Sequence, residues 1–227
     1  MSNRIVNKMI IDREEFCLDS YNGEIFVNIK NLALTVKGEV YINEIITNEE
    51  LNLVINILDH ASLVYNRIGI VRNNTKLIIN QNNNTKLYFK ESFVADNNSL
   101  LKIENNILGN NNISEITVRT IAKDSNILVD ATLNVNSGTE NNVVKEDLRG
   151  LEKEEGKITI IPNMLVSSEN VEANHNVTIS SVREDELFYL TTKGLSEDSA
   201  KDLLEKGFLI NIFNDENIKI KLKEIIN

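Results

Sequence analysis

The chain has 227 residues, of which 41% are hydrophobic and 26% charged, and its formal net charge is −10. That composition suits a globular chain large enough to bury a core without staples, and it excludes a general nucleic-acid binder, whose affinity needs a basic face. A single cysteine, Cys17, excludes an intramolecular disulfide and any multi-cysteine metal or cluster site within one chain.

Residues 1–20 read as a mixed polar N-terminal segment. Met1-Ser2-Asn3-Arg4 lacks the apolar region of a secretory signal. No apolar run approaches the roughly 18–20 residues a membrane span needs, so a cytoplasmic chain with no membrane partner is expected. Cys17 lies in this segment and reads as a buried structural thiol.

Residues 21–182 read as a long β body. Short strands are expected over Glu24–Val27, Leu32–Val36, Glu39–Ile46, Leu51–Ile57, Leu63–Val71, Lys76–Ile79 and Lys86–Phe89. Further ones are expected over Leu100–Ile103, Glu115–Ile121, Ile127–Val135 and Lys157–Ile161. Polar clusters separate them, such as Asn73-Asn74, Asn82-Asn83-Asn84 and Asn110-Asn111-Asn112. This pattern admits a sandwich, a barrel or a parallel β-helix. Two features lean toward the β-helix. Asn side chains can stack from coil to coil, and Asn22-Gly23 is the only Asn-Gly or Asp-Gly hairpin signal in the chain. No exact repeat period is visible.

Residues 183–227 read as a small helical subdomain. Arg183-Glu184-Asp185-Glu186 places acids at a helix start, and Gly194 suits the residue after a helix end. Ser196 is a natural N-cap for a second helix. Ala200, Leu203, Leu204, Phe208 and Ile212 recur at helical spacing and are expected to line one face. A third helix is expected after Asn214-Asp215, with Ile218, Leu222, Ile225 and Ile226 on one side.

The stretch from Ile161-Pro162-Asn163-Met164 through Ala173-Asn174-His175-Asn176, Leu187-Phe188-Tyr189-Leu190, Lys193-Gly194 and Gly207-Phe208 resembles the SufB/SufD family. Members carry a proline strand, a His in a small-residue context, a Phe-Tyr-Leu stretch ending Arg-Gly, an acidic helix and a Gly-Phe. Here Asn176 replaces the usual Gly or Glu, and Lys193 the usual Arg. The resemblance implies a right-handed parallel β-helix followed by helices, in a non-catalytic scaffold for iron–sulfur cluster assembly. It implies two partners, a SufC-type ABC ATPase docked on the C-terminal helices and a second SufB/SufD-type subunit paired through the β-helix. A transient iron–sulfur cluster would form at that paired interface.

By the same resemblance, His175 is a candidate cluster or iron ligand facing the partner subunit; otherwise it is a histidine satisfied at a β-helix edge. Phe188, Tyr189, Leu190, Leu203, Leu204 and Phe208 are candidate ATPase-docking residues; otherwise they pack on the end of the β body. The sulfur-accepting cysteine of SufB would fall near Gly156, where Glu154-Glu155-Gly156-Lys157 offers no thiol. That absence points to a SufD-like role. A minimal homodimeric scaffold is the alternative within the family. A carbohydrate-active β-helix is the alternative outside it, weakened by 5% aromatics and no Trp. His60 has no spaced partner and reads as structural or exposed. No nucleophile–base pair or zinc spacing is present, so no catalysis is assigned.

Overall fold

A computed structural model describes residues 7–47, 50–71 and 74–226. The N-terminal Met1-Ser2-Asn3-Arg4 and Asn73 lie outside the described residues.

The described residues form fifteen strands and three helices. The odd-numbered strands are β1 (Asn7–Ile11), β3 (Asn22–Val27), β5 (Glu39–Ile46), β7 (Ser62–Val71), β9 (Lys86–Ala95), β11 (Ile113–Lys123), β13 (Asn142–Lys153) and β15 (Val171–Ser180). The even-numbered strands are β2 (Glu15–Asp19), β4 (Asn31–Lys37), β6 (Leu51–Ile57), β8 (Asn74–Gln81), β10 (Ser99–Ile107), β12 (Asn126–Val135) and β14 (Lys157–Val166). Each set forms one sheet in chain order, and every pairing is parallel. Strand i therefore pairs with strand i+2, and the chain winds as a two-faced β-helix. This topology decides among the three architectures the sequence admits. Within the 1–20 stretch, the described residues from Asn7 on contribute β1 and β2 to the two sheets.

The coil grows along the chain. Asn7 lies beside Gly23, sixteen residues on, whereas Ile113 lies beside Val143, thirty residues on. Strands lengthen from 5 residues in β1 to 12 in β13. A widening solenoid has no fixed period, which is why none is visible in the sequence.

Alternation sets the two faces of each strand. Leu34, Ile42, Ile55, Leu63, Ile79, Leu87, Ile103 and Val129 point into the lumen and are fully buried, each contributing about 1.5–3 kcal/mol. The corners use asparagine twice over. Asn84, Asn111 and Asn141 adopt φ of 56°, 59° and 56°, a region Asn tolerates better than most residues. Their side chains also form a ladder. Asn111 donates to Asn84, Asn141 to Asn111 and Asn170 to Asn141, at 3.2, 3.2 and 2.8 Å. His60 sits exposed in a corner turn with φ 64°.

A second ladder crosses the outer face of the even sheet. Asn80 donates to Asn56, Asn106 to Asn80 and Asn134 to Asn106, at 2.9, 3.0 and 2.8 Å. Asn106→Ala breaks two of these bonds. We expect a loss of about 1 kcal/mol, read as a lower urea midpoint; an unchanged midpoint would mean water replaces the ladder.

The helices are α1 (Glu184–Thr192), α2 (Glu197–Ile210) and α3 (Glu216–Ile225). Gly194, at φ 95°, follows the end of α1. Ser196 caps α2 by accepting from Ser199 N–H at 3.2 Å, and Asp215 caps α3 by accepting from Asn217 N–H at 2.9 Å. The helices do not close the end of the solenoid. Helices α2 and α3 lie along the outer face of the odd sheet, where Leu209, Phe213, Ile218 and Leu222 pack on Ile68, Ile121 and Leu151. Polar clamps fix them there. Tyr41 Oη donates to Asp215 at 3.0 Å, Ser92 Oγ to the Leu209 carbonyl at 3.0 Å, and Lys153 pairs with Glu205 at 2.7 Å. The buried residues of α2 are Ala200 and Leu209, while Leu203 points to solvent. Sheet contact, not the Leu203–Ile212 stripe, thus selects the inward face. Among the described residues no helix is long and apolar enough to cross a membrane.

Candidate functional site at the open last coil

The last coil is the most exposed part of the β-helix. β14 pairs only with β12 and β15 only with β13, so each leaves one backbone edge free among the described strands. Ile161, Leu165, Val166 and Ile179 are exposed large apolar residues on these two strands. An unpaired edge carrying apolar side chains is a template for another chain.

His175 lies in the middle of β15, exposed, beside Glu146 of β13 in the parallel register. Glu146 faces the lumen between Val144 and Leu148, both fully buried. Burial pushes its carboxyl up to about 7. Asn176, the neighbour of His175, points to the outer face and donates to Asp147 at 3.0 Å. Asp147 also accepts from Arg149 at 2.9 Å and forms an ion pair with Arg119. Burial alone would raise the Asp147 carboxyl, but the two guanidiniums more than offset it and hold it below its ordinary value. The sequence departure at Asn176 therefore serves an outer polar network and leaves His175 to the lumen side.

Gly156 occupies a tight buried turn. Its N–H donates to the Lys153 carbonyl at 2.9 Å, and a Cβ there would come within 2.2 Å of the Ala122 carbonyl oxygen. No thiol-bearing side chain fits that position in this fold. Cys17 is not a buried structural thiol. It is exposed on β2, an outer-facing position at the opposite end of the solenoid from His175.

The helical candidates divide. Phe188, Tyr189 and Leu203 are 71%, 60% and 51% exposed. Leu190, Leu204 and Phe208 are partly buried, and Phe208 packs on the cluster beneath α2 and α3. Helix α1 buries none of its residues and packs on α2. A groove of about 390 Å³ runs between the end of β15 and these helices, lined by Thr178, Ser180, Arg183, Leu203, Leu204 and Phe208 among others. Strand β15 thus carries His175 at its centre and reaches this groove at its end. Sequence reasoning missed Glu146; the signal was an acid at an inward position of a Val144–Leu148 alternation.

Comparison with known proteins identifies this architecture. The family model described as "SUF system FeS cluster assembly, SufBD core domain" matches residues 60–208. A protein of Archaeoglobus fulgidus named as an iron–sulfur cluster assembly SufBD family protein is 34% identical over 106 residues. That alignment covers 45% of this chain and 28% of the relative. A similarly named protein of Pyrococcus horikoshii is 32% identical over 75 residues, covering 32% of this chain and 17% of the relative. One from Staphylococcus saprophyticus is 37% identical over 49 residues, 22% of this chain and 10% of the relative. The chain therefore matches only a minor part of the length of these relatives. The family match runs without a break from the turn before β7, through the open last coil that bears His175, to Phe208 in α2, and on that ground the chain belongs to the SufB/SufD family.

Proposed function

We propose that this chain is a scaffold subunit of an iron–sulfur cluster assembly complex. It holds a SufC-type ABC ATPase on α1 and α2 and pairs with a second SufB/SufD-type chain across β14 and β15. A transient cluster is the cargo of the paired interface, and His175 faces it. We assign the chain no catalytic step and a SufD-like role.

The observation that carries the docking reading is the exposed trio Phe188, Tyr189 and Leu203. The fold does not need these side chains, because Leu209, Phe213, Ile218 and Leu222 already hold the helices to the sheet. Apolar anchors on a helix pair fit a groove on a partner. The pairing reading rests on the free edges of β14 and β15 and their exposed apolar residues. Because β15 also lines the helical groove, a movement of docked ATPases has a direct path to the His175 strand.

Removing residues 196–227 would strip α2 and α3 from Ile68 and Ile121, so point variants give the cleaner test. Co-expressed with its cognate ABC ATPase, the full chain should capture it in pull-down. Phe188→Glu combined with Leu203→Glu should abolish capture while leaving the melting temperature unchanged. Undiminished capture by the double variant would remove the docking assignment. Mass measurement of the captured complex then separates a heterodimeric scaffold from a homodimeric one.

A further inference from the structure

Helix α2 carries in its interior a glycine that the fold does not require. Gly207 lies inside α2, just ahead of Phe208. Glycine is among the least favourable residues for a helix interior. Its φ here is outside the left-handed region that would call for glycine, and an added Cβ would meet no atom within 4 Å. Packing therefore does not exclude a larger residue. The missing side chain instead keeps open the groove of about 390 Å³ between β15 and the helices, which Gly207 lines together with Leu204 and Phe208.

The charged residues lining this groove are Arg149, Arg183 and Glu186. On the α1 rim Arg183 is matched by Asp185 and, at 3.9 Å, by Glu186. On the sheet wall Arg149 is not so matched. It shares Asp147 with Arg119, so two guanidiniums stand against one carboxylate. Arg149 meets Asp147 through its Nε, which leaves its terminal nitrogens as a planar fork of donors. Thr178, its register partner on β15, sets a hydroxyl beside it on the same wall. The sheet wall thus carries an unmatched cation on a chain whose net charge is −10. The opposite flank of α2 differs. A cleft of about 460 Å³ there is lined by Glu152, Glu154, Asp198, Asp202 and Glu205 against Lys153 and Lys201. An acid approaching α2 is repelled on that flank and attracted on the Arg149 side.

A guanidinium and a hydroxyl on one wall, above a bare apolar floor, fit a carboxylate that stands next to an apolar side chain. We infer that this groove receives an acidic residue flanked by an apolar one from the docked ATPase, the carboxylate on Arg149 and Thr178 and the apolar side chain over Gly207. Leu203, one of the exposed anchors, lines the same groove, so the two contacts form one continuous surface. The identity of the partner rests on the docking reading; the places of its acid and its apolar side chain rest on Arg149 and Gly207.

The test is calorimetry of the purified full chain with its cognate ABC ATPase, at low and high salt, beside thermal melting of each variant. Gly207→Leu fills the groove and favours the helix. It should bind the ATPase at least about tenfold more weakly while melting at or above the wild-type temperature. Gly207→Ala leaves the groove open and should melt higher, with affinity within about twofold of the wild type. Arg149→Gln should bind about fivefold more weakly at about 50 mM NaCl, and the gap should close to about twofold at about 500 mM. Lys102→Gln, an equal loss of charge on the outer face of the even sheet, should change neither affinity nor melting. Wild-type affinity in Gly207→Leu, or in Arg149→Gln at low salt, would overturn the inference and leave docking through Phe188 and Leu203 in place. A lower melting temperature for Gly207→Leu would show that packing retains the glycine, and would overturn it as well. A wild-type chain that does not bind the ATPase would remove the docking reading, and this inference with it.

Discussion

Replacing Arg67 with Met is expected to destabilise the fold by about 3–5 kcal/mol at pH 8. Arg67 is fully buried in the lumen, between Glu44 on β5 and Glu91 on β9 in one register column. Its Nε donates to Glu44 at 2.7 Å and its Nη1 to Glu91 at 2.8 Å. Tyr65 Oη also donates to Glu44. Burial pushes the Glu91 carboxyl up, and Arg67 pulls it back toward the ionised form. Without the guanidinium, two carboxylates at 2% exposure or less face each other across one strand, with Ile25 and Val118 as the outer neighbours in the column. The penalty should shrink at pH 5, where protonation relieves the uncompensated charge. The triple variant Glu44→Gln, Arg67→Met, Glu91→Gln should recover most of the loss, because an apolar or neutral set of similar volume avoids the desolvation cost. Urea midpoints of the single and triple variants at both pH values decide the matter; a single variant as stable as the wild type at pH 8 would show that the triad is not held ionised.

The strands were legible where β-branched runs meet Asn clusters: the observed β5 and β6 keep the expected bounds, and β12 begins one residue earlier, at Asn126. What stayed hidden has physical causes. The period was masked by the growth of the coil. Strand β13 escaped notice because Lys145, Asp147 and Arg149 flank an inward acid, so the Val144-Glu146-Leu148 face does not read as apolar. Strand β15 escaped because an end coil has no neighbour to bury it, and its sequence is correspondingly polar. The two strands that carry Glu146 and His175 thus hide for different reasons, an inward acid in one and an exposed end coil in the other. The helix cover left a readable trace. Ile45, Ile68, Val94 and Ile121 break alternation at the ends of odd strands, as residues buried on both faces do. The face of α2 was not readable, because apolar residues occupy both Leu203 and Leu209 and only contact with the sheet selects between them.

Glu146→Gln is expected to raise stability by about 3 kcal/mol at pH 8 and to leave it nearly unchanged at pH 4.5. The sign follows from the direction of the shift. Burial raises this carboxyl from 4.5 to about 7. Between those values the folded chain keeps a proton that the unfolded chain has released, so stability from this group is present below 4.5 and is lost as pH rises through 7. The groups facing Glu146 do not reverse this. Ile116, Val144 and Leu148 carry no charge, and His175 is exposed to solvent that screens it. Gln keeps the shape and abolishes the titration. Urea midpoints across pH 4.5–8 should therefore diverge, the wild type falling and the variant holding level with respect to this group. Parallel curves would show that Glu146 finds a partner the lumen does not otherwise supply.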